Sequence, residues 1–146
     1  MAKTYRHTFG KRIGNNVLTR LVRAGKGPKL MRVVTVRGRR SGKTYDTPVY
    51  IMSRPEGRYW VSTFGETQTI KNARAASRVT LTRGDEREEV SLTEVPVGER
   101  VALLRAYLNL NRSPMVRKYF DATRSSSDEE LAAIAPDHAV FKLDSA

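Results

Sequence analysis

The chain has 146 residues, no cysteine, two histidines and a formal net charge of +12. Disulfides, thiolate metal sites and a Cys–His pair are therefore excluded, His7 and His138 are too far apart in sequence to suggest metal-ligand spacing, and a Ser–His–Asp triad has little to support it. The charge is lopsided: residues 1–50 carry thirteen Lys or Arg against one acid, Asp46, while residues 51–146 carry fourteen of each sign, which predicts an anionic partner.

Residues 1–28 read as a basic arm (1–12) followed by a helix. Phe9, Ile13, Val17 and Leu21 recur every four residues with Leu18 and Val22 beside them, making one apolar stripe. Lys11, Arg12, Arg20 and Arg23 lie mostly off it, and Gly25, Gly27 and Pro28 stop the helix. Leu30 to Arg37 is β-rich, and Tyr45 to Ser53 is a second strand in which Pro48 argues for an edge or a bulge. After the turn at 54–57, Arg58 to Phe64 returns as a third strand, so the pair reads as an antiparallel hairpin.

Residues 66–76 fit a short helix, and Ser77–Arg83 and Arg87–Val95 form a hairpin across Gly84-Asp85. Val97 to Leu110 is a helix with Val101, Leu104 and Leu108 on one face, and Pro114 opens a less regular stretch to Phe120. The run Ser125 to Glu130 supplies an N-cap and an acidic first turn for a helix through Ala135. Ala139 to Leu143 is the last strand. Consecutive hairpins with helices between them predict one α+β, mainly β domain over 1–146, with a small barrel over 13–143 and helices at its rim. No apolar run reaches the ~20 residues of a membrane span. The N-terminus lacks a signal-peptide pattern, so a cytoplasmic address is expected.

Gly38-Arg39-Arg40-Ser41-Gly42-Lys43-Thr44 looks like a phosphate loop but is not the nucleotide-binding one. Three residues separate its first glycine from Gly42-Lys43-Thr44, where that motif needs four. A strand follows it, where the motif needs a helix. The loop still offers bidentate arginines, a hydroxyl and glycine-permitted backbone to an anion. An ordinary solvated hairpin loop has the same composition.

Gly38-Arg39-Arg40-Ser41-Gly42 followed by Thr47-Pro48-Val49 resembles the signature of the deazaflavin-dependent nitroreductase family of actinobacteria. The stretch from Val61 to Ala76, with Asn72-Ala73-Arg74-Ala75 at its end, is similar to that family's strand, glycine turn and helix. Val116 to Asp121, Ser126 to Glu130 and Ala135 to Phe141 follow in the familiar order, so the likeness covers roughly 14–143. Thr69 stands where related sequences often carry a tryptophan.

The resemblance implies a split β-barrel of the FMN-binding type and the cofactor F420, a deazaflavin with a phosphate and an oligoglutamate tail; FMN is the weaker alternative. It implies hydride transfer to a quinone, enone or nitroaromatic acceptor. Arg39, Arg40 and Lys43 are the candidate contacts for phosphate and carboxylates, supported by Ser41 and Gly42. Thr47 and Pro48 would lie against the ring system, with Ser62, Thr63, Phe64 and Gly65 on its other side. Tyr119, Tyr107 and Tyr50 are possible proton donors, but no residue is singled out as catalytic and no metal is expected.

Other readings compete. The N-terminal stripe flanked by cations suits an anionic membrane surface, which would give a peripheral membrane protein or a fatty-acid carrier. Nucleic acid is argued by charge alone and disfavoured because no aromatics interleave the arginines of 37–43. A homodimer is open to a barrel of this class.

Overall fold

A computed structural model describes residues 9–111, 116, 119, 120 and 122–146, with side chains of the first helix from Asn16 onward. The basic arm before Phe9, the side chains of Phe9 and Ile13, Pro114, Arg117, Lys118 and Asp121 lie outside the described residues.

Helix α1 (Phe9–Arg23) leads into strands β1 (Met31–Arg37), β2 (Thr44–Arg54) and β3 (Gly57–Val61). Helix α2 (Gln68–Ala76) and strands β4 (Arg78–Arg83) and β5 (Glu86–Glu94) follow. A 3-10 turn at Val97–Glu99 precedes α3 (Val101–Leu110), and α4 (Asp128–Ile134) leads through a second such turn to β6 (Val140–Ser145). The strands close a barrel in the order β1-β2-β3-β6-β5-β4, every pair antiparallel. Closure removes the open edges that an antiparallel sheet would otherwise present.

Strand alternation divides the apolar side chains between two cores. In β3, Trp60 points into the barrel, where it meets Phe141 at 5.4 Å between ring centroids, while Tyr59 and Val61 face a second layer under α3 and α4. That second layer holds Leu104, Leu108, Phe120, Leu131 and Val140. Val34 and Val36 of β1 belong to the barrel interior, whereas Met31 and Val33 pack under α1 with Val22. A strand buried on both sides explains why β1 reads as an apolar run rather than as an alternation.

Two local expectations are refined. α1 does not bury its whole stripe: Val22 is fully buried and Leu18 packs beside it, but Val17 is 54% and Leu21 42% exposed. Among the described side chains, Leu18, Thr19 and Val22 turn toward the barrel, while Val17 and Leu21 turn to solvent. The helix expected from Val97 breaks at Arg100, because a 3-10 turn comes first.

Chain punctuation follows the residues that cause it. Gly25, at φ +83°, ends α1, with Lys26 N–H donating to Leu21 C=O (2.8 Å) and Gly25 N–H to Val22 C=O (2.9 Å), the paired bonds of a Schellman cap. Ser127 caps α4, accepting from Glu130 N–H at 3.1 Å while the Glu130 carboxylate accepts from Ser127 N–H at 2.9 Å. Pro48 is tolerated because its half of β2 pairs with β1 alone; β3 joins only from Ile51.

Candidate functional site

The loop between β1 and β2 folds back on itself. Gly38 N–H donates to Lys43 C=O (2.7 Å) and Gly42 N–H to Gly38 C=O (3.1 Å). Gly42 takes φ +74°, where a side chain is strained, and the space beyond its Cα is open. Gly38 is needed for a different reason: a Cβ there would lie 2.7 Å from Tyr45 Cε2 and 2.9 Å from Ser41 Oγ. Ser41 Oγ accepts from Lys43 N–H and shares a hydrogen bond with the Tyr45 hydroxyl, both at 3.2 Å.

Arg39 pins this loop to α2. Its backbone N–H (3.1 Å) and guanidinium (2.7 Å) both donate to Asn72 Oδ1, and the guanidinium also donates to Gln68 Oε1 at 2.9 Å. Asn72 is 7% exposed, so its oxygen is a buried anchor. One residue on, Arg40 is exposed, as is Lys43, and neither pairs with a carboxylate among the described residues. The nearby acid, Asp46, is already engaged by Arg23 at 2.6 Å and by the Thr35 hydroxyl. Burial pushes its pKa up, but those two partners outweigh it and hold the carboxylate below its ordinary value. The loop thus keeps its positive charge.

Thr47 and Pro48 follow on β2. Pro48 is buried, and Thr47 Oγ1 lies 3.3 Å from Thr69 Oγ1 in the first turn of α2. This contact joins β2 to α2.

The segment between β3 and α2 is fixed from several sides. Ser62 N–H donates to Ala139 C=O (2.8 Å), its hydroxyl to Gly65 C=O (2.6 Å), and its C=O accepts from His138 Nδ1 (2.7 Å). Thr63 is half-buried, with Oγ1 2.6 Å from the Tyr107 hydroxyl. The half-buried Phe64 ring meets Tyr119 edge-on at 5.0 Å. Gly65 turns the chain at φ +82° into α2, whose N-cap Thr67 accepts from Ile70 N–H.

Of the sequence candidates, Arg39 and Thr47 bond to α2, Thr63 meets Tyr107 of α3, and Ser62 faces inward as a brace. Arg39 itself is partly committed to α2. Four residues were not singled out as site members by sequence: Asn72, Gln68, His138 and Arg100. The first two stood inside the family-like helix, but nothing in their spacing showed which strand-loop they hold. His138 is fully buried, stacked on Phe120 at 3.9 Å, and its Nδ1 carries the proton because the Ser62 carbonyl only accepts. Burial keeps its pKa below the ordinary value. Beneath it, the buried Arg100 donates to the carbonyls of Val95, Ala135 and His138 and to Glu94.

Of the tyrosines considered as proton donors, Tyr107 is 1% exposed and Tyr119 5%. Burial, ahead of its hydrogen bonds, pushes the Tyr107 pKa up to about 12. Among the described residues no cluster of His, Cys, Asp or Glu could hold a metal ion, and no helix is long and apolar enough to cross a membrane.

A family model described as F420H(2)-dependent quinone reductase matches residues 3–128. No curated protein matches the chain. Among solved structures, the chain is similar to a protein of unknown function from Agrobacterium tumefaciens, with a TM-score of 0.54 and 16% identity over 80% of this chain and 48% of that one. The chain thus spans about half the length of the Agrobacterium protein. A candidate 5-nitroimidazole antibiotic resistance protein from Bacteroides thetaiotaomicron gives a TM-score of 0.51 at 14% identity, covering 88% and 77%. A chain described as a domain-swapped dimer gives 0.55 at 14% identity, covering 93% and 97%. These structural likenesses establish the barrel fold.

Proposed function

Because this chain belongs to the F420H(2)-dependent quinone reductase family, we propose that it reduces a quinone with the deazaflavin held between the β1–β2 loop, β2 and the 62–65 segment. The observation that carries this reading is the anchoring of Arg39 on Asn72, which presents the exposed Arg40 and Lys43 from a fixed loop. Enones and nitroaromatics are further acceptors of the same electrophilic class.

The donor set fits the cofactor's anionic end. Arg40 offers a planar fork and Lys43 a point charge for phosphate or carboxylate. Ser41 adds a hydroxyl, and open space at Gly42 lets an anion approach the backbone. Arg39 positions these groups and retains N–H donors of its own, since only part of its fork is used by Gln68 and Asn72. Thr47 and Pro48 would support one side of the ring and residues 62–65 the other. When bound, the reduced deazaflavin supplies a hydride from its C5 carbon. The protein's work is to hold acceptor and donor in contact and to keep water out, for which the braced Ser62 and the Phe64–Tyr119 edge contact provide stiff walls.

The test is to mix pure protein with the reduced cofactor and a soluble naphthoquinone and to follow oxidation of the cofactor. Protein-dependent oxidation is expected; none above the protein-free rate contradicts the reading. FMN is titrated alongside, and tighter binding of FMN would move the chain to flavin chemistry.

The exposed Val17 and Leu21 of α1, with Arg20 between them, favour a second and compatible reading. This face would lie on an anionic membrane and bring the enzyme to lipid-dissolved quinones or fatty acids. Co-sedimentation with anionic vesicles tests it: Val17→Ser with Leu21→Ser should lower binding, and unchanged binding removes the face from the account.

A further inference from the structure

Three side chains next to the proposed ring site form a directed chain of hydrogen bonds. Asn111 Nδ2 donates to the Tyr107 hydroxyl oxygen at 3.3 Å, and that hydroxyl lies 2.6 Å from Thr63 Oγ1. The amide can only donate through its nitrogen, so it occupies the tyrosine oxygen as acceptor. The tyrosine has a single proton and is 1% exposed. If Thr63 also donated to it, that proton would be buried without an acceptor, at a cost of ~1–3 kcal/mol. The lower-energy arrangement runs Asn111 to Tyr107 to Thr63. It leaves the Thr63 proton turned away from Tyr107, on a residue that is only half-buried.

The oxygen that carries that proton is held in place by Tyr107 and by its neighbours in the chain. Ser62, immediately before, is tied by its N–H, its C=O and its hydroxyl. Phe64, immediately after, rests on Tyr119. A donor held so rigidly costs no reorganisation when charge appears opposite it.

Resting on the deazaflavin reading above, we infer that the Thr63 hydroxyl is the hydrogen-bond donor to the acceptor oxygen that gathers negative charge during hydride transfer, with Tyr107 and Asn111 as positioning residues. The acceptor gains the hydride's electron pair and a new bond to hydrogen; the bond broken is the C–H bond at C5 of the reduced deazaflavin, which is thereby oxidised. Its conjugated oxygen becomes an oxyanion, which Thr63 stabilises without giving up its proton; water supplies the proton that later neutralises the product. The cofactor ring loses electron density in the same step. A donor facing its carbonyl would therefore aid binding, not the transition state.

The experiment compares wild type with Thr63→Val, Thr63→Ala, Thr63→Ser and Tyr107→Phe, each checked for thermal unfolding. Deazaflavin Kd is read by fluorescence, and kcat and KM are measured with a soluble naphthoquinone. Thr63→Val and Thr63→Ala should raise the cofactor Kd far less than they lower kcat, which falls on the order of 10²-fold, the usual loss for one oxyanion donor. Thr63→Ser should restore most of the rate, and Tyr107→Phe should lose less than Thr63→Val. The Ala variant guards against a Val that packs badly. Wild-type kcat in both overturns the inference while leaving the deazaflavin reading intact. A raised cofactor Kd at unchanged kcat overturns it too, by assigning the donor to the cofactor. Failure of the wild type to bind or oxidise the cofactor removes the deazaflavin reading, and the inference falls with it.

Discussion

The side-chain oxygen of Asn72 accepts twice from Arg39, at 3.1 Å from its backbone N–H and at 2.7 Å from its guanidinium. One buried atom of α2 thus sets both the path of the β1–β2 loop and the direction of its first arginine. Replacing Asn72 with Ala removes an acceptor for a charged donor, worth roughly 1.5–3 kcal/mol. Urea unfolding should show a loss in that range, and deazaflavin affinity should fall because the loop is no longer held. Asn72→Asp, which still offers an oxygen to Arg39, should recover much of the affinity. Wild-type stability and affinity in the Ala variant would show that the loop stands without its anchor.

Arg100 supports the site from below. Its side chain is 5% exposed and holds the Val95, Ala135 and His138 carbonyls together with Glu94. Arg100→Ala should destabilise the fold by about 3 kcal/mol or more, since several buried acceptors lose their donor at once. Lysine lacks the planar fork and should rescue little. A denaturation midpoint for Arg100→Lys equal to that of wild type would contradict this.

His138 makes stability depend on pH in a predictable sense. Burial, opposed by the hydrogen bond to Ser62, lowers its pKa below 6.5 in the folded chain. The unfolded chain therefore takes up this proton first as pH falls. The stabilising contribution is complete above 6.5 and is lost below it, down to the lowered folded value. Wild type should lose more stability than His138→Gln between about pH 7 and about pH 5, the carboxylate contributions cancelling in the comparison. Parallel pH profiles would remove His138 as the source.

The barrel was legible in the sequence because its signals are local. Paired apolar runs joined by Arg54-Pro55-Glu56-Gly57 and Gly84-Asp85 leave little choice but hairpins, and the run Ser125 to Glu130 announces its helix by composition alone. Pro48 even marked the stretch of β2 that lacks a second partner. The contacts that build the site were not legible, because they join distant segments. Arg39 and Asn72 are 33 residues apart, and His138 and Ser62 are 76. Two arginines in a loop look alike on paper, yet only Arg39 turns to α2 while Arg40 faces outward. Likewise, the four-residue recurrence of α1 could not say that Val22 would be buried against β1 while Val17 and Leu21 stay exposed.

The direct measurement is the affinity of the oxidised deazaflavin for wild type and for Arg40→Ala with Lys43→Ala, at low and high salt. The account predicts that both proteins melt alike, because these side chains are exposed. It predicts that the double variant binds at least about tenfold more weakly at low salt, with a smaller salt dependence, because two exposed charges no longer meet the anionic tail. Equal affinity and equal salt dependence would mean that the loop does not grip that tail.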